Sequence, residues 1–248
     1  MYTDELVKEF DEDTMRYKSC ATLLLLGSED SRFLKGIRGK CKKMGLRAEI
    51  VQHFPTDSRT ETQRLIPYVR DYETFPLPKD RNEQISIVTH GFGLDCAAAM
   101  VSVSEAIATL LDKRNEISGK RIAIYGRGKS TRGLRTKLEA GGGTVEVAHS
   151  KTNDSYTCML GKQVVIFATP TLDFRPEAIV SAGQTILDLS GVGAELDNSN
   201  LNHKWWTYIG PRDIGRLTTS ILVNRFAHHY GELKKALAMY QEDSDDPV

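Results

Sequence analysis

The sequence holds no Cys-x-x-Cys pair; its four cysteines, Cys20, Cys41, Cys96 and Cys158, lie far apart. That argues against a zinc knuckle and against a disulfide framework. Charge of either sign is not in excess, with 33 basic residues against 33 acidic ones. A general nucleic-acid binder needs a basic footprint, so no nucleic-acid partner is expected. Long apolar runs are also missing. Runs such as residues 21–26 and 96–101 fall well short of the roughly 20 needed to span a bilayer, so no membrane partner is expected. The opening MYTDELVKEFDED is acidic where a signal peptide is cationic. There is no internal repeat and no low-complexity tract. The expectation is a cytoplasmic protein.

What is present is an ordinary globular composition, 40% hydrophobic and 27% charged over 248 residues. That length holds one large domain or two small ones, at roughly 100–200 residues each. Leu6, Phe10 and Met15 suggest a loose helix over 2–18. Residues 21–26 read as a strand buried on both faces. Residues 31–44 read as a helix with Phe33, Leu34, Ile37, Cys41 and Met44 inward, stopped by Gly45. Strands are expected at 47–51 and 85–88, and a helical stretch from about 56 to Asp71. The two prolines in 75–80 make a loop. A helix over 97–112 precedes strands at 121–125, 144–148, 164–168 and 185–189, with 206–209 as one more. Helices are expected at 134–140 and 217–238, and the acidic end, 242–246, reads as a frayed tail.

Strands alternating with helices imply parallel sheets, so the expected class is α/β. Two such units are expected, with a cleft between them. Residues 1–97 would form an N-terminal α/β unit, 98–232 a second, Rossmann-like one, and 233–248 a helix end and tail.

The chemistry concentrates in one loop, Gly126-Arg127-Gly128-Lys129-Ser130-Thr131-Arg132-Gly133, which follows a strand and opens a helix. Glycines there let phosphate approach the backbone. The first two fit the dinucleotide pattern G-x-G-x-x-G; the third is displaced to Gly133. A relaxed P-loop, A-x-x-x-x-G-K-S from Ala123 to Ser130, competes, with Asp188 as the acid of such a site. It ranks lower, because Ala123 falls inside the predicted strand. A plain glycine turn with a solvated basic rim is the bland alternative. The following strand separates the cofactors. An NAD site ends that strand in Asp or Glu for the ribose. Here it ends in His149-Ser150-Lys151-Thr152, and Glu146 lies within the strand. Arg127, Ser150 and Lys151 suit a 2′-phosphate, so NADP is expected over NAD.

These segments resemble the methylenetetrahydrofolate dehydrogenase/cyclohydrolase family. Ser118-Gly119-Lys120 is similar to its lead-in to the first strand, Gly126-Arg127 to its Gly-Arg-Ser cofactor loop, and His149-Ser150-Lys151-Thr152 to its His-Ser-x-Thr segment. Ile186-Leu187-Asp188 resembles another family strand. Ile214-Gly215-Arg216-Leu217-Thr218, with Leu222 and Asn224, resembles its closing signature. The resemblance implies an NADP-dependent oxidoreductase with a folate-like substrate and a homodimer. It adds Thr169, Pro170, Gly215 and Thr218 to the cofactor-binding residues Gly126, Arg127, Gly128, Lys129, Ser130, His149, Ser150 and Lys151. His90 and Asp95 are the nearest substrate-site candidates.

The N-terminal half departs from that family. Counting back from Gly45, the positions of its Tyr-x-x-x-Lys pair hold Phe33 and Ile37. Neither can activate water or move a proton. Lys35 is available only in a slipped register. Dehydrogenase chemistry is expected to survive this loss, and cyclohydrolase chemistry is not. A repurposed relative that keeps only the nucleotide site is the alternative, and an NTP-binding P-loop protein is the third. Of the other clusters, the basic residues of 35–47 read as a solvated face. Trp205-Trp206 reads as a core rim. His228-His229 does not suggest metal, since adjacent helical residues do not share a face; no metal is expected.

Overall fold

The computed structural model describes residues 2–17, 22–52, 68–70, 93–94, 96–128, 131, 133–194, 196 and 206–242. The chain divides into two compact units, Val7–Ala99 with Thr219–Val248, and Met1–Leu6 with Met100–Thr218. Each carries its own parallel sheet flanked by helices, an α/β arrangement.

In the first unit, β1 (Thr22–Leu26), β2 (Arg47–Val51), β3 (Tyr68–Arg70) and β4 (Gly93–Leu94) form a sheet in the order β2-β1-β3-β4. β1 is central and pairs in parallel on both edges. A strand so placed meets no water, which is why it can read Thr-Leu-Leu-Leu-Leu. Helices α1 (Tyr2–Thr14) and α2 (Arg32–Lys43) accompany it in the chain. Ser31 caps α2, its Oγ accepting the Leu34 N–H at 3.2 Å. Leu34, Ile37 and Cys41 repeat at helical spacing and are fully buried. Gly45 ends the turn at φ +71°. Burial pushes the Cys41 thiol up to about 12.

In the second unit, α3 (Cys96–Lys113) leads to β5 (Arg121–Tyr125). Then follow α4 (Leu134–Ala140), β6 (Thr144–Ala148), α5 (Ser155–Met159), β7 (Val164–Phe167), β8 (Thr185–Asp188) and β9 (Thr207–Ile209). All pairs are parallel, in the order β6-β5-β7-β8-β9. The chain steps outward from β5 to β6, then crosses to the opposite edge of β5 for β7. That reversal is where an open α/β sheet leaves a crevice beyond its strand ends. The order is Rossmann-like.

Some elements differ from their sequence expectation. Residues 68–70 are not the end of a helix; they are β3, drawn into the ladder by the free edge of β1. The expected strand 85–88 and loop 75–80 lie outside the described residues. α5 and a 3₁₀ turn, Pro176–Ile179, were not anticipated. Both are too short for a visible helical period. The closing helix, α6 (Pro211–Glu242), starts earlier than 217, with Pro211 at its first position and Asp213 in its first turn. From Thr219 on it groups with the first unit rather than with the second. Leu222, Val223, Phe226 and Ala227 pack into the core built by Leu23, Leu25 and Ile37, which explains that grouping.

Ile37 is fully buried in this core, with Phe33 partly buried against it. Ile37→Ala is expected to cost about 2–5 kcal/mol, the usual range for such a cavity. Ile37→Lys should cost more, because a buried ammonium has no partner there. Urea unfolding of the three proteins checks both.

Candidate dinucleotide site at the strand ends

Tyr125 ends β5, and Gly126 follows at φ +120°, a backbone conformation that L side chains rarely adopt. A Cβ there would stand 2.4 Å from the Ala168 carbonyl oxygen. The two strand ends can therefore approach this closely only with glycine. Ala148 accepts the Gly126 N–H at 2.8 Å, and Tyr125 accepts the Ala168 N–H at 2.8 Å. Three chain segments thus leave β5, β6 and β7 side by side.

They enclose a cavity of about 260 Å³. Gly126, Arg127 and Gly128 form one wall, His149, Ser150 and Lys151 a second, and Ala168, Thr169 and Pro170 a third, with Tyr125 beneath. Next to it lies a concavity of about 300 Å³ that shares Arg127 and adds Thr131 and Arg135. Among the described residues no carboxylate lines either space. Arg127, Ser150 and Lys151 are exposed on the rim. Gly128 has open space where a Cβ would be. Such a lining fits an anionic ligand that lies flat against backbone.

The walls are held from within. The Thr131 hydroxyl donates to the Gly128 carbonyl at 3.1 Å. The turn at 149–152 is closed by Thr152 N–H to the His149 carbonyl, 2.7 Å, and by His149 N–H to Thr152 Oγ1, 3.0 Å. His149 Nδ1 accepts the Lys151 N–H at 3.1 Å, a third tie within the turn. Glu146 does not reach the strand end. Its carboxylate takes Lys162 at 2.5 Å, and that lysine, with the Cys158 thiol, holds its pKa below the usual range. Glu146 in turn pushes the Cys158 thiol up.

Asp188 is fully buried and already engaged. It accepts the N–H groups of Ser190, Gly191 and Gly193 at 3.0, 2.8 and 2.7 Å, and the Tyr208 hydroxyl at 2.9 Å. It organises a loop rather than offering an oxygen to a metal. Ala123 is buried in the middle of β5. These positions do not fit the P-loop alternative.

The structure brings together Gly126, Arg127, Gly128, His149, Ser150, Lys151, Thr169 and Pro170. Lys129, Ser130, His90, Asp95 and Trp205 lie outside the described residues. Gly215 and Thr218 fall on α6 and do not line the cavity; the Thr218 hydroxyl donates to the Ile214 carbonyl at 2.7 Å and is buried. Lys35 stands 3.8 Å from Asp30 and lines a shallow basic groove with Arg38, Lys42 and Arg47. Trp206 is buried in the core of the second unit. Tyr125 and Ala168 were missed, although both directly flank residues the sequence singles out. Among the described residues no cluster of His, Cys, Asp and Glu could hold a metal ion, and no helix is long and apolar enough to cross a membrane.

No family model matches the chain, and no curated protein matches it. Solved structures do. The bifunctional 5,10-methylenetetrahydrofolate dehydrogenase/cyclohydrolase of Thermoplasma acidophilum is similar with a TM-score of 0.63 and 16% identity, over 95% of this chain and 97% of that one. The N5,N10-methylenetetrahydrofolate dehydrogenase-cyclohydrolase of Trypanosoma brucei, complexed with NADP cofactor and inhibitor, gives 0.65 and 16%, over 94% and 95%. A 5,10-methylenetetrahydrofolate dehydrogenase of the silkworm, Bombyx mori, gives 0.64 and 14%, over 94% and 96%. At these identities the likeness is one of fold.

Gly126→Ala is expected to lower the melting temperature by several degrees and to weaken ligand binding at the cavity, since both φ and the Ala168 carbonyl oppose a methyl group. Gly128→Ala should leave the melting temperature nearly unchanged. Thermal unfolding of the two variants against the parent makes the comparison.

Proposed function

We propose that the protein is an NADP-dependent oxidoreductase acting on a one-carbon-loaded, folate-like substrate, without cyclohydrolase activity. The observation that carries the cofactor assignment is the rim of the cavity. Where an NAD site needs a carboxylate at the end of its second strand, this chain has His149, Ser150 and Lys151, with Arg127 on the facing wall. A 2′-phosphate brings about two negative charges to that point. Arg127 and Lys151 supply the matching charge and Ser150 a hydroxyl donor. Gly126 and Gly128 leave their backbone open to a pyrophosphate. Bound there, such a cofactor would supply hydride-acceptor chemistry. The chain's part is to hold it against the backbone of Gly126 and Gly128 and to fix the 149–152 turn beside it.

The substrate class is supported by the fold shared with methylenetetrahydrofolate dehydrogenases and by the sequence resemblance. The absence of cyclohydrolase chemistry rests on the first unit. Ile37 is fully buried and Phe33 packs against the same core, so the helix face that resembles the family's Tyr-x-x-x-Lys position carries no proton donor. Lys35 is half-exposed beside Asp30. General acid–base groups contribute typically 10²–10⁴-fold, and none stands there. The same observation favours one other reading, a relative that retains the nucleotide site but has lost folate chemistry.

NADP is expected to bind more tightly than NAD, and Arg127→Ala to weaken NADP by on the order of tenfold or more with little effect on NAD. Titration calorimetry reads both constants. Equal losses for the two cofactors would contradict a 2′-phosphate contact. Methylenetetrahydrofolate with NADP should give reduced cofactor, and methenyltetrahydrofolate should hydrolyse only at the background rate. Silence in the first assay with intact NADP binding would favour the repurposed relative.

A further inference from the structure

One carboxylate ties together segments next to the cavity's three walls. Asp173 lies on the loop that leaves β7 beyond Thr169 and Pro170. Its Oδ1 accepts the Tyr125 hydroxyl at 2.9 Å. The Ser155 hydroxyl bonds both of its oxygens, at 2.9 and 2.7 Å. Tyr125 is the last residue of β5, buried, and the one from which the glycine segment departs. Ser155 is the first residue of α5 and is buried as well. It follows the 149–152 turn after Asp154, which caps the helix from a left-handed φ of 52° and bonds Thr157.

Packing alone already seats this loop. Phe174 meets the rings of Tyr125 at 5.6 Å, Tyr156 at 5.9 Å and Phe167 at 6.4 Å. Apolar contact is non-directional, however, and does not set how the loop is turned. Two hydroxyls on one carboxylate do, because hydrogen bonds require distance and alignment together. The Ser155 hydroxyl, followed by that of Tyr125, holds the Asp173 carboxyl below its ordinary range, while burial and then Asp173 push the Tyr125 phenol up. The clasp is therefore charge-assisted at neutral pH.

We propose that Asp173 is a positioning residue for cofactor selectivity: through Ser155 and Tyr125 it holds the turn carrying Ser150 and Lys151 in register with Arg127. This rests on the NADP reading above. The consequence is selective. The glycine segment has its own ties, Gly126 N–H to the Ala148 carbonyl and Thr131 to Gly128. The 149–152 turn is closed on itself by Thr152 and His149, and the Ser155–Asp173 contact three residues on fixes where that closed turn stands. A pyrophosphate, common to NAD and NADP, uses the backbone of Gly126 and Gly128; only a 2′-phosphate needs Arg127 and the turn set against each other.

The test is titration of the full-length protein and its Asp173→Ala, Asp173→Asn and Ser155→Ala variants with NADP and with NAD. Asp173→Ala is expected to raise the NADP Kd roughly tenfold while the NAD Kd stays within about twofold. Asp173→Asn, which keeps one acceptor oxygen, should recover part of the loss. Ser155→Ala should act in the same direction and not add to Asp173→Ala in the double variant. If Asp173→Ala does not fold, Asp173→Asn and Ser155→Ala carry the same comparison. Equal loss for both cofactors, or a lower melting temperature with unchanged Kd ratio, overturns the proposal and leaves the NADP reading standing. A wild-type protein that binds neither cofactor overturns the NADP reading and this proposal with it.

Discussion

The approach of two backbones decides what this protein can hold. Where β5 and β7 end, the main chain of Gly126 comes so near the Ala168 carbonyl that no side chain fits between them. The consequence is a crevice walled by backbone on two sides, at the point where the strand order reverses. Everything else at the site is arranged around that constraint. The 149–152 turn supplies charge and hydroxyl groups from the third side. Asp188 ties the loop after β8 to its own backbone, and the Ser190 hydroxyl of that loop reaches the Thr169 carbonyl on the cavity wall. Neutral composition overall and a basic rim locally are compatible, because only a few charges are needed where the carboxylates are kept away.

The two units have been put to different uses. In the second, polar groups are spent on loop geometry, and the cavity lies open. In the first, one face of α2 is given to packing. Ile37 makes the core of that unit together with Leu23, Leu25 and the later half of α6. A charged residue at that position would have to leave the core or lose its charge. The face of α2 that includes Ile37 is thereby committed to the core of its unit.

Much of this was legible in the residues. Thr-Leu-Leu-Leu-Leu could only be a strand covered on both faces. The Ser31-to-Gly45 helix announces both of its ends, and the glycines after 121–125 announce a turn. The parallel α/β class followed from the alternation of periods. Residues 68–70 were misread because pairing with β1, a long-range event, outweighs local pattern. α5 and the 3₁₀ turn are shorter than the window in which a helical period can be seen. At the site, the sequence pointed to the segment ends and missed what lies between and beneath them. Tyr125 reads as one more strand residue and Asp173 as one more loop aspartate. Only the fold brings Ser155, Tyr125 and Asp173, scattered along 48 residues of chain, onto one carboxylate. The early start of α6 was available in Pro211 and Asp213, but its grouping with the other unit was not.

Hydrogen exchange with and without NADP tests the central claim most directly, because it reports where along the chain a ligand is held. The account predicts that saturating NADP slows exchange at residues 126–128, 149–152 and 168–169. NAD at equal saturation should protect the first and third groups more than the second. Exchange in α2 should not change. Protection by NADP confined to other segments, or none at saturation, would contradict a dinucleotide site at the ends of β5, β6 and β7.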